Sequence, residues 1–426
     1  MFEIQGTVTT AVCYAQTVEE GAIEQIRRMC SYALTADSRV RIMPDVHAGK
    51  GCTVGTTMTV TDKVCPNIVG VDIGCGMYTV RLAEREIDLP TLDAAAHFIP
   101  SGMRVWDGRQ ERFDLTELRC FRALRDSRRL ERSLGTLGGG NHFIEVDRAS
   151  DGALYLVIHS GSRNLGKQVA EIYQQLAVDL HMGKEDYFRA RDEIIRTYKA
   201  AGRRAEIEGA LQALKRDFVT QALLVPADLC WLYGSFMADY LHDVEICQRF
   251  ARRNREKMAE ILLAHTDTTA AEAFHTVHNY IDTEEMILRK GAVAAHAGER
   301  LLIPINMRDG SILAVGRGNP AWNFSAPHGA GRVMSRARAK ETLDMDAYRA
   351  SMAGIYTTSV TAETLDEAPM AYKSLAEIED AVRDAVEVVD ILKPVYNFKA
   401  ADDTPPWAKK TEKEGNKDAS GDSDDT

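Results

Sequence analysis

The stretch Val69–Met77 reads V-G-V-D-I-G-C-G-M and predicts a tight loop on which the fold is centred. Glycines at positions 70, 74 and 76 disfavour both a helix and a strand, because ordering a glycine costs more backbone entropy than ordering any other residue. Such a loop can approach a small ligand closely, and Asp72 and Cys75 offer a carboxylate and a thiolate that can share one metal ion or two. Taken alone, however, this stretch favours a buried turn with a structural cysteine.

The composition is that of a globular protein. Of the 426 residues, 45% are hydrophobic and 27% are charged, and no apolar run is long enough to span a membrane. The first residues lack a secretory-signal pattern, and the eight cysteines are scattered without a CxxC pair, so we expect a reduced, cytoplasmic protein. The net charge of -11 argues weakly against a nucleic-acid partner but is compatible with a local basic groove.

Hydrophobic periodicity predicts a mixed α/β architecture of the α+β class. Residues 165–265 are mostly helical and carry one long amphipathic face, while residues 104–132 are rich in arginine and partly helical. A further helix is expected over residues 375–392, followed by a last strand at 394–399. Other strands are expected at residues 39–46, 53–60, 77–82 and 153–158.

One domain is expected over residues 1–400. No repeat or linker interrupts this range, and the suggestive motifs extend from residue 45 to residue 399, so they have to converge in a single unit. Residues 401–426 contain almost no apolar side chains and are rich in Pro, Asp, Lys, Ser and Gly, which predicts a disordered, charged tail.

Three histidines extend the metal hypothesis beyond the opening stretch. His142, His159 and His278 accompany short strands, and the first two adjoin glycine-rich turns, where rigid elements can aim a side chain. With Asp72 and Cys75 they favour a metal site over isolated structural histidines. Thiolate and imidazole ligands suit zinc, the carboxylate leaves manganese open, and Cys75 is the natural bridge if two ions bind.

His328 suggests phosphoryl chemistry. It lies in S-A-P-H-G-A-G-R, and we expect it at the start of a basic helix, where backbone N–H groups can bind phosphate and a histidine can act as a nucleophile. A helix-capping or solvent-facing histidine is the alternative. Arg163 in H-S-G-S-R offers a second phosphate ligand. A basic groove, or else a set of solvated surface charges, is formed by Arg289, Lys290, Arg317 and Arg332.

Seven motifs along the chain resemble those of the RtcB family of GTP-dependent RNA ligases. They are V-D-I-G-C-G-M, G-G-G-N-H-F-I-E, H-S-G-S-R, H-N-Y, R-K-G-A, H-G-A-G-R-V-M-S-R and E-A-P-M-A-Y-K. The resemblance covers residues 1–400 and implies a single large domain with central β-sheets surrounded by helices. It also implies two Mn²⁺ ions, GTP, and the joining of an RNA 3′-phosphate or 2′,3′-cyclic phosphate to a 5′-hydroxyl.

The resemblance also assigns roles to individual residues. His328 corresponds to the histidine that becomes covalently guanylylated. Arg163 corresponds to an RNA-phosphate ligand, and Arg332 is expected to assist it. The manganese ligands correspond to Asp72, Cys75 (bridging), His142, His159 and His278. The guanylate contacts correspond to Asp45, Asn141, Glu145, Asn306, Ser311, His328, Tyr372 and Lys399.

Some positions depart from the family pattern. Asn306 replaces a serine of the family's P-G-S-M-G loop, Arg308 adds a charge close to it, and the segment before His328 reads F-S-A-P. These changes indicate a divergent subgroup, and they leave open whether it serves RNA repair or tRNA splicing, how strict the GTP preference is, and whether an archease-type activator is needed. Two other functions remain: a metal-dependent cyclic-phosphate phosphoesterase and a non-catalytic RNA-end-binding protein.

Overall fold

A computed structural model describes residues 1–49 and 51–399; the predicted tail, 401–426, lies outside them. Within these residues the chain forms eleven helices and seventeen strands. The helices are α1 (Glu20–Met29), α2 (Pro66–Val69), α3 (Leu89–Phe98), α4 (Ser127–Arg132), α5 (Arg163–His181), α6 (Glu185–Ala200), α7 (Ile207–Asp217), α8 (Gly234–Thr266), α9 (Arg336–Thr342), α10 (Met345–Ser351) and α11 (Leu375–Ala381). None of them is both long and apolar enough to cross a lipid bilayer.

The strands are short except for the last one. They are β1 (Phe2–Gln5), β2 (Thr10–Cys13), β3 (Val40–His47), β4 (Val54–Thr59), β5 (Lys63–Val64), β6 (Gly76–Leu82), β7 (Phe143–Arg148), β8 (Leu154–Ser160), β9 (Leu232–Tyr233), β10 (Ala270–Val277), β11 (Asn279–Asp282), β12 (Ile287–Lys290), β13 (Ala292–Ala294), β14 (Arg300–Asn306), β15 (Gly310–Gly316), β16 (Ser325–Pro327) and β17 (Val386–Lys399).

Two large sheets organise these strands. A six-stranded sheet has the order β1-β2-β3-β4-β12-β11, and a seven-stranded sheet has the order β10-β6-β8-β7-β17-β15-β14. All neighbours in the seven-stranded sheet are antiparallel. Two-stranded pairs join β13 to β16 and β5 to β9. The described residues therefore form one α+β domain, which confirms the fold class predicted from the sequence.

Helix α8 packs against both large sheets. On its N-terminal half, Tyr240 and Phe250 are buried in the core cluster that contains residues of the six-stranded sheet. On its C-terminal half, Met258 and Leu262 are buried in the cluster of the seven-stranded sheet. Each such side chain contributes roughly 1.5–3 kcal/mol when it is removed from water. The helix is thus a fixed support for the loops between the sheets.

The helix predicted over residues 375–392 is wrong in its second half. Helix α11 ends at Ala381, and Val386 begins β17. The sequence V-E-V-V-D-I-L at 386–392 is rich in β-branched residues, and it pairs with β15 along its length. Pairing with β7 continues the same strand to Lys399. Cross-strand pairing therefore decides the conformation of a segment whose apolar spacing is also compatible with a helix.

The predicted position of His328 at the start of a basic helix is also wrong. His328 directly follows β16, and α9 begins only at Arg336. Gly331 interrupts the segment with a φ of +75°. A side chain at Gly331 would place its Cβ within 2.6 Å of the Asp45 carbonyl oxygen, so this turn packs directly on β3. His328 itself therefore does not lie at the start of α9.

Candidate active site

The order of the seven-stranded sheet brings four potential ligands to one edge. His278 follows β10, Cys75 precedes β6, His159 lies near the end of β8, and His142 precedes β7. Because β10, β6, β8 and β7 are consecutive antiparallel neighbours, the end of one strand lies beside the start of the next. Asp72 belongs to the loop that leads into β6.

All five predicted metal ligands meet at this edge. The Cys75 Sγ lies 3.4 Å from His142 Nε2 and 3.3 Å from His159 Nε2. His142 Nε2 lies 3.0 Å from Asp72 Oδ2, and His159 Nε2 lies 3.3 Å from His278 Nε2. The side chains form a continuous chain of contacts, with Cys75 next to two imidazoles.

The electrostatics of this cluster are set by burial and by the neighbouring ligands. Burial opposes ionisation of Asp72, but the hydrogen bond and charge of His142 outweigh it and lower the pKa of Asp72 to about 2. Burial, reinforced by the charge of Asp72, raises the pKa of the Cys75 thiol well above its usual value. Burial lowers the pKa of His159 and His278 well below the usual value, so both imidazoles are neutral.

The cluster fits a divalent cation. A carboxylate, a sulfur and three imidazoles are the donor types that manganese and zinc accept. Nδ1 of His142 and Nδ1 of His278 are buried without a hydrogen-bond partner among the described residues, although buried polar atoms normally have one. Neutral imidazoles are also the form that binds metal.

Two glycines make room for the ligands. A Cβ at Gly161 would lie 2.1 Å from Asp72 Oδ1, and a Cβ at Gly138 would lie 2.4 Å from His142 Nδ1. Contacts this short do not occur between non-bonded atoms, so any side chain at either position would displace a ligand. The glycine-rich turns noted in the sequence therefore let the backbone approach the ligand side chains closely.

His328 adjoins the ligand cluster. Its ring centroid lies 4.9 Å from that of His278. On its other side, its Nδ1 lies 2.7 Å from Asp45 Oδ2, and the same oxygen accepts the His328 backbone N–H at 3.1 Å. Asp45 is fully buried on β3, whereas His328 is only partly buried. The carboxylate therefore fixes one side of the ring, and Nε2 has no hydrogen-bond partner among the residues that the structure describes.

A cavity of about 740 Å³ opens in front of His328. It is large enough for a nucleotide, since small-molecule sites have volumes of about 300–1,000 Å³. Its polar lining combines basic side chains with carboxylates. The predicted site residues that line it are Asn141, Glu145, His159, His278, Asn306, His328, Arg332, Tyr372 and Lys399.

Three predicted nucleotide or RNA contacts lie behind the cavity wall instead of on it. Asp45 is covered by His328, and Ser311 is fully buried on β15. Arg163 donates to Thr136 Oγ1 at 3.0 Å and to the Gly102 carbonyl at 2.6 Å. Burial lowers the pKa of Arg163 to about 10 despite the opposing charge of Asp72, so Arg163 remains a cation beside the metal cluster.

Asn306 lines the cavity, but its side chain is already engaged. Its Oδ1 accepts the backbone N–H groups of Arg308 and Asp309, and its Nδ2 donates to Asp309 Oδ2 at 2.9 Å. Arg308 pairs with Asp309 and points into solvent. Asn306, which replaces the serine of the family loop, therefore forms an Asx-type turn between β14 and β15.

A buried ion-pair network on the cavity wall was not predicted from the sequence. Glu367 accepts a hydrogen bond from the Tyr372 hydroxyl at 2.7 Å and forms ion pairs with Lys399 and Arg336. Burial opposes its ionisation, but Lys399 and Arg336 outweigh burial and lower the pKa of Glu367. Glu367 belongs to the E-A-P-M-A-Y-K motif, five residues before Tyr372. Its place in the same motif as Tyr372, which the resemblance assigns to the nucleotide site, is the signal that could have identified Glu367.

Two buried polar residues of α8 were also missed. Arg255 donates to the carbonyls of Gly74 and Ser160, each at 2.7 Å. Asn254 accepts the N–H groups of Gly135 and Thr136 through its Oδ1. Both side chains are fully buried. They hold the loops that carry Cys75, His142 and His159.

The sequence does contain a signal for these two residues. R-R-N-R at 252–255 suggests a solvated helix face. However, Ala251, Met258 and Leu262 lie on the buried face of α8 at helical spacing, and positions 254 and 255 fall on the same face. Polar residues within an apolar stripe predict buried hydrogen bonds.

The sequence matches the family model described as tRNA-splicing ligase RtcB over residues 25–119 and 121–400. It is 30% identical over 402 residues to the RNA-splicing ligase RtcB of Escherichia coli (strain K12), covering 84% of this chain and 90% of that protein. It is 28% identical over 426 residues to the tRNA-splicing ligase RtcB of Aeropyrum pernix, covering 79% of this chain and 82% of that protein. The chain therefore belongs to the RtcB family, which confirms the resemblance.

Proposed function

We propose that this protein is a cytoplasmic RNA ligase that uses GTP and manganese to join an RNA 3′-phosphate or 2′,3′-cyclic phosphate end to a 5′-hydroxyl end, in RNA repair or tRNA splicing. One observation carries the proposal: His328 lies between the Asp45 carboxylate and the five-residue ligand cluster, on the wall of a nucleotide-sized cavity. Membership of a family of RNA-splicing ligases supports the same activity.

The contact with Asp45 makes His328 a suitable nucleophile. A carboxylate can only accept a hydrogen bond, so the ring proton is on Nδ1 and the lone pair is on Nε2. Nε2 attacks the α-phosphorus of GTP, an N–P bond forms, and pyrophosphate leaves with the electrons of the broken P–O bond. Asp45 stabilises the positive charge that develops on the ring.

A 2′,3′-cyclic phosphate end must first be hydrolysed: water attacks the phosphorus, the bond to the 2′-oxygen breaks, and a 3′-phosphate and a 2′-hydroxyl result. Two further transfers then complete the reaction, and the proton of the 5′-hydroxyl is released to solvent in the last one. An oxygen of the RNA 3′-phosphate attacks the phosphorus of the bound GMP and releases His328 Nε2. The 5′-hydroxyl then attacks the activated 3′-phosphate, and GMP leaves. Manganese, held by Asp72, Cys75, His142, His159 and His278, would neutralise charge on the phosphate oxygens when bound. Arg332, Tyr372 and Lys399 line the cavity where they can orient the nucleotide.

The test is covalent labelling with GTP. Wild-type protein incubated with manganese and GTP labelled at the α-phosphate should form an acid-labile GMP adduct, and His328→Ala should form none. The matched control is His265→Ala, because His265 is an exposed histidine near the end of α8. Full labelling of the His328→Ala protein would overturn the nucleophile assignment. No label on the wild type would favour a phosphoesterase or an RNA-end-binding protein.

A further inference from the structure

The arginine-rich segment, residues 104–132, has no part in the site described above. It carries nine arginines and six carboxylates in a chain whose net charge is -11. Its basic character is therefore local and opposite in sign to that of the whole chain. A cationic surface on an acidic protein is a candidate for binding a polyanion.

Hydrogen bonds attach the start of this segment to the loop that carries His142. The Gly102 N–H donates to the Gly138 carbonyl at 2.9 Å, and the Gly102 carbonyl accepts from the Arg163 guanidinium. The Trp106 indole N–H donates to the Gly135 carbonyl at 3.0 Å. The segment therefore begins directly beside the candidate metal cluster.

The middle of the segment is held by a buried carboxylate. Asp243 of α8 accepts the backbone N–H groups of Arg119 at 2.7 Å and Cys120 at 2.9 Å. Leu115 and Leu118 are buried in the main core. The backbone is consequently fixed, and its exposed side chains are presented from a rigid support, which is what a preformed binding surface requires.

Three exposed arginines, Arg122, Arg125 and Arg128, form what we call the arginine patch. Within residues 1–49 and 51–399, their guanidinium groups form no ion pair or hydrogen bond with another side chain. By contrast, Arg196 and Arg203 of the α6–α7 region are exposed arginines that each pair with a glutamate. The three guanidinium groups of the patch are therefore not engaged by a carboxylate of the described residues.

The patch lies close to Arg163 along α5. Gln168 accepts the Arg125 backbone N–H at 2.7 Å and donates to the Arg125 carbonyl at 3.2 Å. Gln168 follows Arg163 by five residues, which is about 7.5 Å along a helix axis.

We propose that the arginine patch binds the backbone phosphates of single-stranded RNA next to the end that reacts at His328. The inference rests on the proposed function. Guanidinium groups donate two parallel hydrogen bonds to phosphate, and exposed, unpaired arginines lose little when they exchange water for phosphate. The patch reads no base, so it positions the RNA strand without selecting its sequence.

The test compares two triple variants of equal charge. Arg122, Arg125 and Arg128 are changed together to glutamine in one protein, and Arg196, Arg203 and Arg216 are changed to glutamine in the control. Binding of a fluorescent single-stranded RNA with a 3′-phosphate is measured by anisotropy over a series of salt concentrations. The patch variant should bind at least tenfold more weakly at low salt. The slope of log K against log salt should become shallower by about two in the patch variant, because each lost phosphate contact contributes about 0.7 to that slope.

The outcomes separate this inference from the proposed function. Changing the same three arginines to lysine should keep most of the salt slope, which shows that charge and not packing is responsible. Three results would overturn the inference: an equal loss of RNA affinity in the control variant, an unchanged salt slope in the patch variant, or no RNA binding by the wild type. GMP labelling of the wild type is measured in parallel. Failure of that labelling contradicts the ligase proposal, while the RNA comparison still decides the role of the patch.

Discussion

At the scale of single residues, the proposed covalent intermediate depends on the pair of Asp45 and His328. Asp45 contacts both the ring Nδ1 and the backbone N–H of His328 through one oxygen. Changing Asp45 to asparagine keeps the size of the side chain but removes the charge that stabilises the protonated ring. We expect GMP-adduct formation to slow by about 100-fold or more, as for the loss of a general acid–base partner.

Single-turnover labelling with GTP measures this rate. Asp346→Asn, at an exposed position of α10, is the matched control and should label at the wild-type rate. A wild-type rate in the Asp45→Asn protein would show that the carboxylate does not assist His328.

Glu367 gives a prediction on pH dependence. Its pKa is lowered in the folded state because the charges of Lys399 and Arg336 outweigh its burial. It therefore contributes stability above its unfolded-state pKa of about 4.3 and loses this contribution as the pH falls toward its folded-state pKa. Glu367→Gln should lower the free energy of unfolding by about 3–5 kcal/mol near neutral pH, because it leaves buried cations unpaired.

Urea unfolding at neutral pH and below about pH 4 checks this expectation. The difference between wild type and the Glu367→Gln protein should narrow in acid. A difference that is constant over this range would mean that Glu367 is not ionised in the folded protein.

At the scale of elements, the sheet edge and helix α8 determine the site together. The five side chains that meet at this edge could be singled out as candidate ligands from the sequence, because a histidine next to a glycine turn and a strand is a local pattern. Strand order could not be predicted, since β10 pairs with β6 across nearly two hundred residues. Residues 386–392 of β17 were predicted as helix for the same reason, whereas the strand predicted at 394–399 is present. Long-range pairing overrides local periodicity.

Helix α8 allows a matched test of the buried polar support. Arg255→Met removes the hydrogen-bond donor to the Gly74 and Ser160 carbonyls. Both carbonyl oxygens then stay buried without that donor. We expect a loss of about 2–5 kcal/mol in the free energy of unfolding. Arg252→Met is the control, since Arg252 is exposed and forms a surface ion pair with Glu256, and it should change stability by about 0.5 kcal/mol or less. Equal losses in the two variants would contradict the role assigned to Arg255.

At the scale of the whole molecule, the candidate metal site joins segments from residue 72 to residue 278. Composition and motif order were sufficient to predict a single α+β domain, since its class depends on element type and not on strand order. Local signals mark Asn254, Arg255 and Glu367, but most of their hydrogen-bond and ion-pair partners could not be predicted. Those partners lie on segments that are distant in the sequence.

Because the ligands come from four strand ends, metal binding should stabilise the folded chain. Removing the metal with a chelator should lower the melting temperature by several degrees, and adding manganese should restore it, as expected for a ligand that binds only the folded state. Scanning calorimetry on protein whose metal content is measured tests this. An unchanged melting temperature in protein shown to have lost its metal would contradict the shared site.

The most direct test of the central claim is to find which residue carries the nucleotide. Wild-type protein is incubated with GTP and manganese, digested under conditions that preserve a phosphoramidate, and mapped by mass spectrometry. We expect the GMP mass on the peptide that contains His328, and on no other histidine. GMP attached to a different residue, or a peptide containing His328 that remains unmodified while ligation proceeds, would contradict the account.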